Sequence, residues 1–400
     1  MTMPDQISTI PKGWKMTTIG KVADKITKGT TPTTIGGEFV KNGINFIKAE
    51  SISDYGYFIK NKFSYISQGI DDKMVRSRLA ENDILFSIAG VIGRVVMVPK
   101  HVLPANINQA LAIIRPTTGK IYFKYLFYFL FDPRQKALAN SGVAQSVQAN
   151  VNLAQVGSIE INLPPLPEQH AIAAALSSLD DKIELLREQN KTLEATSQAI
   201  FKEWFVNFNF PGATGKMTNS ELGKIPVGWR AGKLGDELKI EYGKSDKKFD
   251  ANGIYPVYGA GGIVGYSNST DYKDYQVIIG CRGTCGNITL AYEDSKITHN
   301  SLIISNHWFK PFIYLFLQKV DIKKAITGST QPQITIGDLS NIEITIPPKE
   351  IADNFSEIIT PIFKKLKNNN SQIQTLSALR DTLLPKLMSG ELRLNKKDEQ

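Results

Sequence analysis

Ile10-Pro11-Lys12-Gly13-Trp14, followed by Ile19-Gly20, is written a second time as Ile225-Pro226-Val227-Gly228-Trp229, followed by Leu234-Gly235, at an offset of 215. Further on, Ile159-Glu160-Ile161-Asn162-Leu163-Pro164-Pro165 returns as Ile342-Glu343-Ile344-Thr345-Ile346-Pro347-Pro348, displaced by 183. Between these anchors Gly90 and Gly93 match Gly283 and Gly286 at 193, and Gly142 with Gln145 matches Gly328 with Gln331 at 186. Chance matches scatter, whereas offsets that decline in order mark two copies of one fold with loops trimmed from the second. The chain is a tandem duplication.

Each copy ends in a helical pattern. A stripe runs through Ile172, Leu176, Leu179, Ile183, Leu186, Asn190, Leu193, Ser197, Ile200 and Trp204, in the alternating steps of a coiled-coil seam. Displaced by 183 without a gap, the second copy reads Phe355, Ile359, Ile362, Leu366, Asn369, Ile373, Leu376, Arg380, Leu383 and Leu387. Ser177-Ser178 and Thr360-Pro361 fall at nearly equivalent places, so each segment is expected to be a short helix followed by a long one capped there. Pro385 is expected to kink the last turns.

If the two long helices pack antiparallel about a pseudo-two-fold axis, positions whose numbers sum to 559 face each other. Asn190 then meets Asn369, Trp204 meets Phe355, Ile183 meets Leu376 and Leu186 meets Ile373, with Leu179 against Arg380 the one poor pair. A facing amide pair satisfies itself and penalises other registers; the alternative is two unrelated solvated asparagines. A helix from Ser178 to about Phe208 is about 45 Å long.

The organisation expected is a globular part over residues 8–165, a helical part over 166–208, a turn-rich linker over 209–220 containing Pro211-Gly212-Ala213-Thr214-Gly215, a second globular part over 221–348 and a second helical part over 349–393. Ile84-Leu85-Phe86, Val95-Val96-Met97-Val98 and Val277-Ile278-Ile279 read as strands, while Leu126–Leu130 and Ile313–Leu317 read as equivalent buried helices. The fold class is α+β. With 400 residues, 42% apolar and 21% charged, the chain has the composition of a multi-domain globular protein. Its most apolar stretch, Ile121 to Phe131, is interrupted by Lys124 and is too short to span a bilayer. No secretory signal is read and two cysteines build no disulfide framework, so a cytoplasmic protein is expected.

Reactive residues are sparse. Cys281 and Cys285 have no second Cys/His pair nearby to complete a zinc site, and the four histidines, His101, His170, His299 and His307, are isolated. The stretch Gly259-Ala260-Gly261-Gly262-Ile263-Val264-Gly265 puts Val264 where a dinucleotide fingerprint needs glycine, and Gly215-Lys216 lacks the rest of a phosphate loop. No catalytic residue and no metal site is assigned.

Charge is segregated instead. From Lys12 to Lys62 nine lysines face four acids, whereas Glu168 to Phe208 carries four basic and seven acidic residues, within a chain of formal charge +9. Phosphate-backbone binding by the globular copies fits that division, and two diverged reading heads suit a linear ligand such as duplex DNA. An ordinary solvated surface also fits the charge alone. The rival is a non-catalytic scaffold whose repeated domains bind other proteins; DNA binding through phosphates weakens steeply with salt, and a mainly apolar protein contact does not.

Taken in order, the doubled Ile-Pro-x-Gly-Trp entry, Leu163-Pro164-Pro165-Leu166-Pro167-Glu168-Gln169, Phe201-Lys202-Glu203-Trp204-Phe205, Tyr255-Pro256-Val257-Tyr258-Gly259-Ala260-Gly261-Gly262 and the terminal Ser389-Gly390-Glu391-Leu392 resemble the specificity subunit of a type I restriction-modification enzyme, over nearly the whole length. The resemblance implies two target-recognition domains, each reading half of a bipartite gapped site in double-stranded DNA. It implies two helical regions that set the spacing and dock adenine methyltransferase subunits, two of them, with restriction/translocase subunits reached through the complex. It implies no catalysis and no cofactor on this chain; S-adenosylmethionine, ATP and Mg belong to the partner subunits. Pro348-Lys349-Glu350 departs from the fuller Pro165 to Gln169, so the second partner surface is expected to be the weaker.

The copies diverge most between Ile47-Lys48-Ala49-Glu50-Ser51 and Tyr255 to Gly262, so the half-sites are expected to differ. Long polar side chains in glycine- or threonine-rich loops are the contact candidates: Lys28, Thr30, Thr31, Lys48, Arg94, Gln145 and Gln148 in the first copy, then Lys244, Lys247, Arg282, Gln331 and Gln333 in the second. Arginine bridges guanine, glutamine bridges adenine and lysine mostly meets phosphate. Gly142-x-x-Gln145 and Gly328-x-x-Gln331 also read as matching turns.

Overall fold

The computed structural model describes residues 10–141, 150–250, 253–305 and 310–394. The chain divides into two compact units, Met1–Lys182 with Thr375–Gln400, and Ile183–Gln374.

In the first unit an antiparallel sheet carries the strands Ala23–Lys28, Leu111–Pro116, Ile84–Ser87 and Val95–Met97 in that order. A second sheet orders Phe39–Val40, Ser64–Ile66, Ile44–Ile47 and Ala105–Ile107, the last pair parallel. In the second unit the same order recurs as Lys239–Tyr242, Ser301–Ser305, Gln276–Gly280 and Ile288–Ala291, all antiparallel. Beside it Gly262–Ser267, Tyr255–Gly259 and Lys296–Ile297 form a sheet whose last pair is again parallel. Equal strand order and sense show the duplication in three dimensions.

The two sequence anchors pair with each other inside each unit. Lys15–Thr18, just after Trp14, runs antiparallel to Glu160–Leu163, and Arg230–Lys233, just after Trp229, runs antiparallel to Glu343–Ile346. The beginning and end of each copy are thereby tied together. Trp14 Nε1 donates to Glu168 at 3.0 Å, and Arg393 grips both oxygens of Glu168 at 2.9 Å. The corresponding place in the second unit is aromatic, with Trp229 against Phe208 and Phe210 at 5.3 and 5.6 Å.

The central strands are apolar on both faces because both are covered. Ile84 and Phe86 pack with the buried helix Phe123–Phe131, while Leu85 faces a separate cluster containing Ile47, Ile52 and Val96. Val277 and Ile279 likewise pack with the helix Lys310–Leu317, and Ile278 turns to Tyr258 and Ile297. The strands and helices expected from sequence are found. The expected linker ends in a strand, Met217–Ser220, paired with Gly223–Pro226.

The expected breaks in the long helices are not. One helix runs unbroken from Leu166 to Phe205 and the other from Lys349 to Ser389. Ser178 is no cap, since its hydroxyl donates back to Ala175 O at 2.7 Å within the helix. Pro361 withholds one backbone donor, an interior cost of about 3 kcal/mol. The buried Ile359 and Phe363 on either side anchor the helix to the core and outweigh it.

Each unit takes a part of both helices. In the first, Ile172, Ala173 and Leu176 share a core with Leu384, Leu387 and Met388. In the second, Phe205 meets Phe355 at 4.7 Å and Trp204 meets Phe355 at 5.7 Å, as the antiparallel rule requires. Leu186, Leu366 and Asn369 are buried in the same unit. Asn369 Nδ2 donates to Asn190 Oδ1 at 2.8 Å, but the pair is not reciprocal: Asn190 Nδ2 turns to Asn370 Oδ1 at 2.8 Å. Asn369 Oδ1 is buried without a partner, so the amides specify register at a cost. Replacing Asn190 and Asn369 together by leucine should raise the melting temperature and yield a second oligomeric species in light scattering. A single unchanged species would remove the register role.

Candidate nucleic-acid interface

In each unit the candidate residues gather at one end of the paired sheets, where the same turns converge. Gly29 in the first unit and Gly243 in the second lie where an added Cβ would come 1.8 Å from Ile107 O and 2.4 Å from Thr298 O, so only glycine lets these backbones touch. In the first unit Asn108 N donates to Ile47 O at 3.2 Å, and Ile88 N to Ala110 O at 2.8 Å. Lys28, Thr30, Thr31, Lys48 and Arg94 all border these turns. In the second unit Thr298 N donates to Tyr258 O and Cys281 N to Asn300 O, both at 2.9 Å, which brings together the segments carrying Lys244, Gly259 to Gly262 and Arg282.

A further bridge completes the arrangement. Arg282 pairs through its backbone with Gln333, and in the first unit Ala89 pairs with Asn150 at the matching place. The turn carrying Gln331 and Gln333 is thus joined to the turn carrying Arg282. Gln145, which matches Gln331 in sequence, and Gln148 lie outside the described residues.

The candidates are not equivalent once placed. Lys28, Lys244, Lys247, Arg282 and Gln331 are exposed, and Gln333 is half-buried. Lys244 Nζ lies 3.7 Å from Glu241. Thr31 donates its hydroxyl to Gln109 Oε1, and Lys48 Nζ sits 4.8 Å above the Phe39 ring and 3.9 Å from Glu50. Arg94 is the most committed: Nε and the terminal nitrogen reach the Asp54 carboxylate at 3.2 and 3.0 Å, with Lys136 joining at 3.1 Å. These donors hold the Asp54 carboxyl below its ordinary range.

Asp54 belongs to the segment in which the copies differ most. Between Ile47 and Ser64 the first unit inserts residues 48–63, while the second joins Gly259 to Gly262 through Ala260 and Gly261 alone. That insertion carries Tyr55 and Tyr57, both exposed, stacked with ring centroids 6.2 Å apart. Sequence reasoning located this divergence and overlooked the tyrosines, whose only signal was aromatic residues flanking Gly56 in a loop. Arg94 ties the insertion to the neighbouring turn through Asp54, the contact expected of a positioning residue. Asp54→Ala should therefore reproduce most of the binding loss of Arg94→Ala; a loss confined to Arg94→Ala would place its guanidinium on DNA.

The cysteines are structural. Cys281 is wholly buried in the core of the second unit, Cys285 Sγ lies 2.8 Å from Pro332 O, and burial pushes both thiols up. Among the described residues, no group of three or more His, Cys, Asp or Glu could hold a metal ion. No helix among them is long and apolar enough to cross a membrane.

The family model described as the type I restriction modification DNA specificity domain matches residues 11–195 and again 226–378, once in each copy. The type I restriction enzyme MjaIX specificity subunit of Methanocaldococcus jannaschii is 29% identical over 97% of this chain and 95% of its own length. The putative type I restriction enzyme MjaX specificity subunit of the same organism is 26% identical over 97% and 96%. Among solved structures, the type I restriction-modification system S subunit from M. genitalium superposes with a TM-score of 0.57 at 19% identity, covering 97% of this chain and 98% of that one, a likeness of fold.

Proposed function

The chain belongs to the type I restriction modification DNA specificity family, and on that premise we propose that it is the DNA-reading subunit of a type I restriction-modification complex, each unit reading one half of a bipartite gapped site. The supporting observation is that both copies carry cationic side chains at the same loop end of the same paired sheets, joined in the second copy by the amides Gln331 and Gln333, with different loops at that end. Two copies of one scaffold with unlike loops suit two unlike half-sites.

The chain itself performs no chemistry in this reading. It docks two adenine methyltransferase subunits along the long helices and reaches the restriction/translocase subunits through the complex, in the cytoplasm. S-adenosylmethionine, ATP and Mg are bound by those partners.

The test is co-expression with the modification subunits of the same system, followed by genome-wide mapping of methylated adenines, with the chain omitted as control. A gapped two-part motif that depends on the chain is the expected result. Exchanging residues 221–348 for those of a relative should change one half of the motif alone. No methylation with an active partner would favour the scaffold reading, and the same motif without the chain would move specificity to the methyltransferase.

A further inference from the structure

The hairpin Tyr255–Gly259 and Gly262–Ser267 in the second unit leaves an apolar tip that the fold does not use. On its outgoing strand Pro256, Val257 and Tyr258 are buried. On its returning strand Ile263, Val264 and Tyr266 are exposed at 44, 49 and 41%. The pairing slips between Val257 and Tyr258, so Val264 is the extra residue of a bulge beside Ile263, and both side chains stand open to solvent near the tip. Burial in the core therefore does not account for these two side chains.

The tip is nevertheless held in place. Asn287 Nδ2 donates to Ala260 O at 3.3 Å. An added Cβ at Gly280 would lie 2.4 Å from Ala260 O, and one at Gly261 would lie 3.1 Å from Thr284 Oγ1. The hairpin turn is thus seated on the turn from Gly280 to Asn287, which carries the exposed Arg282 and is bridged to Gln333. Arg282 makes no ion pair among the described residues. An apolar ribbon, a free guanidinium and exposed amides therefore share one edge.

The major groove of B-DNA admits a two-stranded β-ribbon, and its one apolar group is the thymine methyl. We infer that the hairpin enters the major groove beside Arg282, and that Ile263 and Val264 read thymine methyl groups in the second half-site. This rests on the DNA-reading function proposed above. The first unit has its insertion at this place, so methyl reading by the hairpin belongs to the second half-site alone.

The test uses the assembled complex of this chain with its modification subunits and duplexes carrying the mapped site. Each thymine of the second half-site is replaced in turn by deoxyuridine, which removes only the methyl group. At one or more positions binding should weaken about fourfold, the transfer value of one methyl group. Val264→Ala or Ile263→Ala should abolish that penalty while leaving any penalty from the first half-site intact. Val264→Thr, which keeps the branched shape and strand preference but replaces one γ-methyl by a hydroxyl, should shrink the penalty without abolishing it and serves if the alanine variants melt early. Tolerance of deoxyuridine throughout the second half-site, or an equal penalty in the variants, overturns the inference. Failure of the wild-type complex to bind any site in a chain-dependent way would instead sink the DNA-reading function itself.

Discussion

Replacing Asp180 by alanine should destabilise the first unit by about 3 kcal/mol, within the range for breaking a buried ion pair by removing one partner. Arg380 is only 8% exposed, reaches Asp180 Oδ1 at 2.8 Å and lies 5.3 Å from the Phe131 ring centroid. Tyr128 donates its hydroxyl to the other Asp180 oxygen at 2.7 Å. The substitution strands a guanidinium and a phenol together, and Asp381, still bonded to Arg380 at 2.8 Å, keeps the cost to the lower part of the range. The other copy shows a different solution at the same places. At the offset of 183, Asp180 corresponds to Phe363 and Arg380 to Ser197; Phe363 packs edge-on against Tyr314 with centroids 5.8 Å apart. Removing both charges should accordingly cost far less than removing one. Denaturant unfolding of Asp180→Ala, Arg380→Leu and the combination Asp180→Ala with Arg380→Leu checks this. Additive losses would show that the pair is not coupled.

The same ion pair marks where sequence reading stopped. The antiparallel rule placed Arg380 against Leu179, a poor contact, because a seam written as a line of positions has no room for a neighbour one residue away. Arg380 reaches Asp180 from that position, and the apparent mismatch becomes a buried bridge. The duplication and the strand pairing of its anchors were legible because both rest on local patterns that recur. The continuity of the long helices was not, because Pro361 carries a strong local signal and the opposing term, burial of Ile359 and Phe363, is tertiary. The candidate interface was legible as residue types in loops. The role of Arg94 was hidden, since its partner Asp54 lies across a loop whose course the sequence does not reveal.

Arg282, Gln331 and Gln333 carry the largest expected effect on recognition, because their places are fixed by main chain and their side chains are not needed for the fold. Thr327 N donates to Gln333 O at 2.8 Å and Gln333 N to Thr327 O at 2.9 Å, while Arg282 N donates to Asn300 O at 3.3 Å. Alanine at all three positions keeps those bonds and removes only the groups that reach outward. Each bidentate base contact discriminates by about 1–3 kcal/mol, so the triple variant should lose at least about two orders of magnitude in affinity for the full site. The mapped motif should degenerate in one half and persist in the other. Lys244→Ala with Lys247→Ala provides the contrast: lysines on phosphate should weaken binding to all sequences alike and flatten the dependence on salt by about one unit of slope per contact. A triple variant that behaves like the lysine pair would place this edge on the backbone rather than on the bases. An unchanged motif and affinity would turn this end of the second unit away from DNA altogether, and with it the hairpin seated on the same turn.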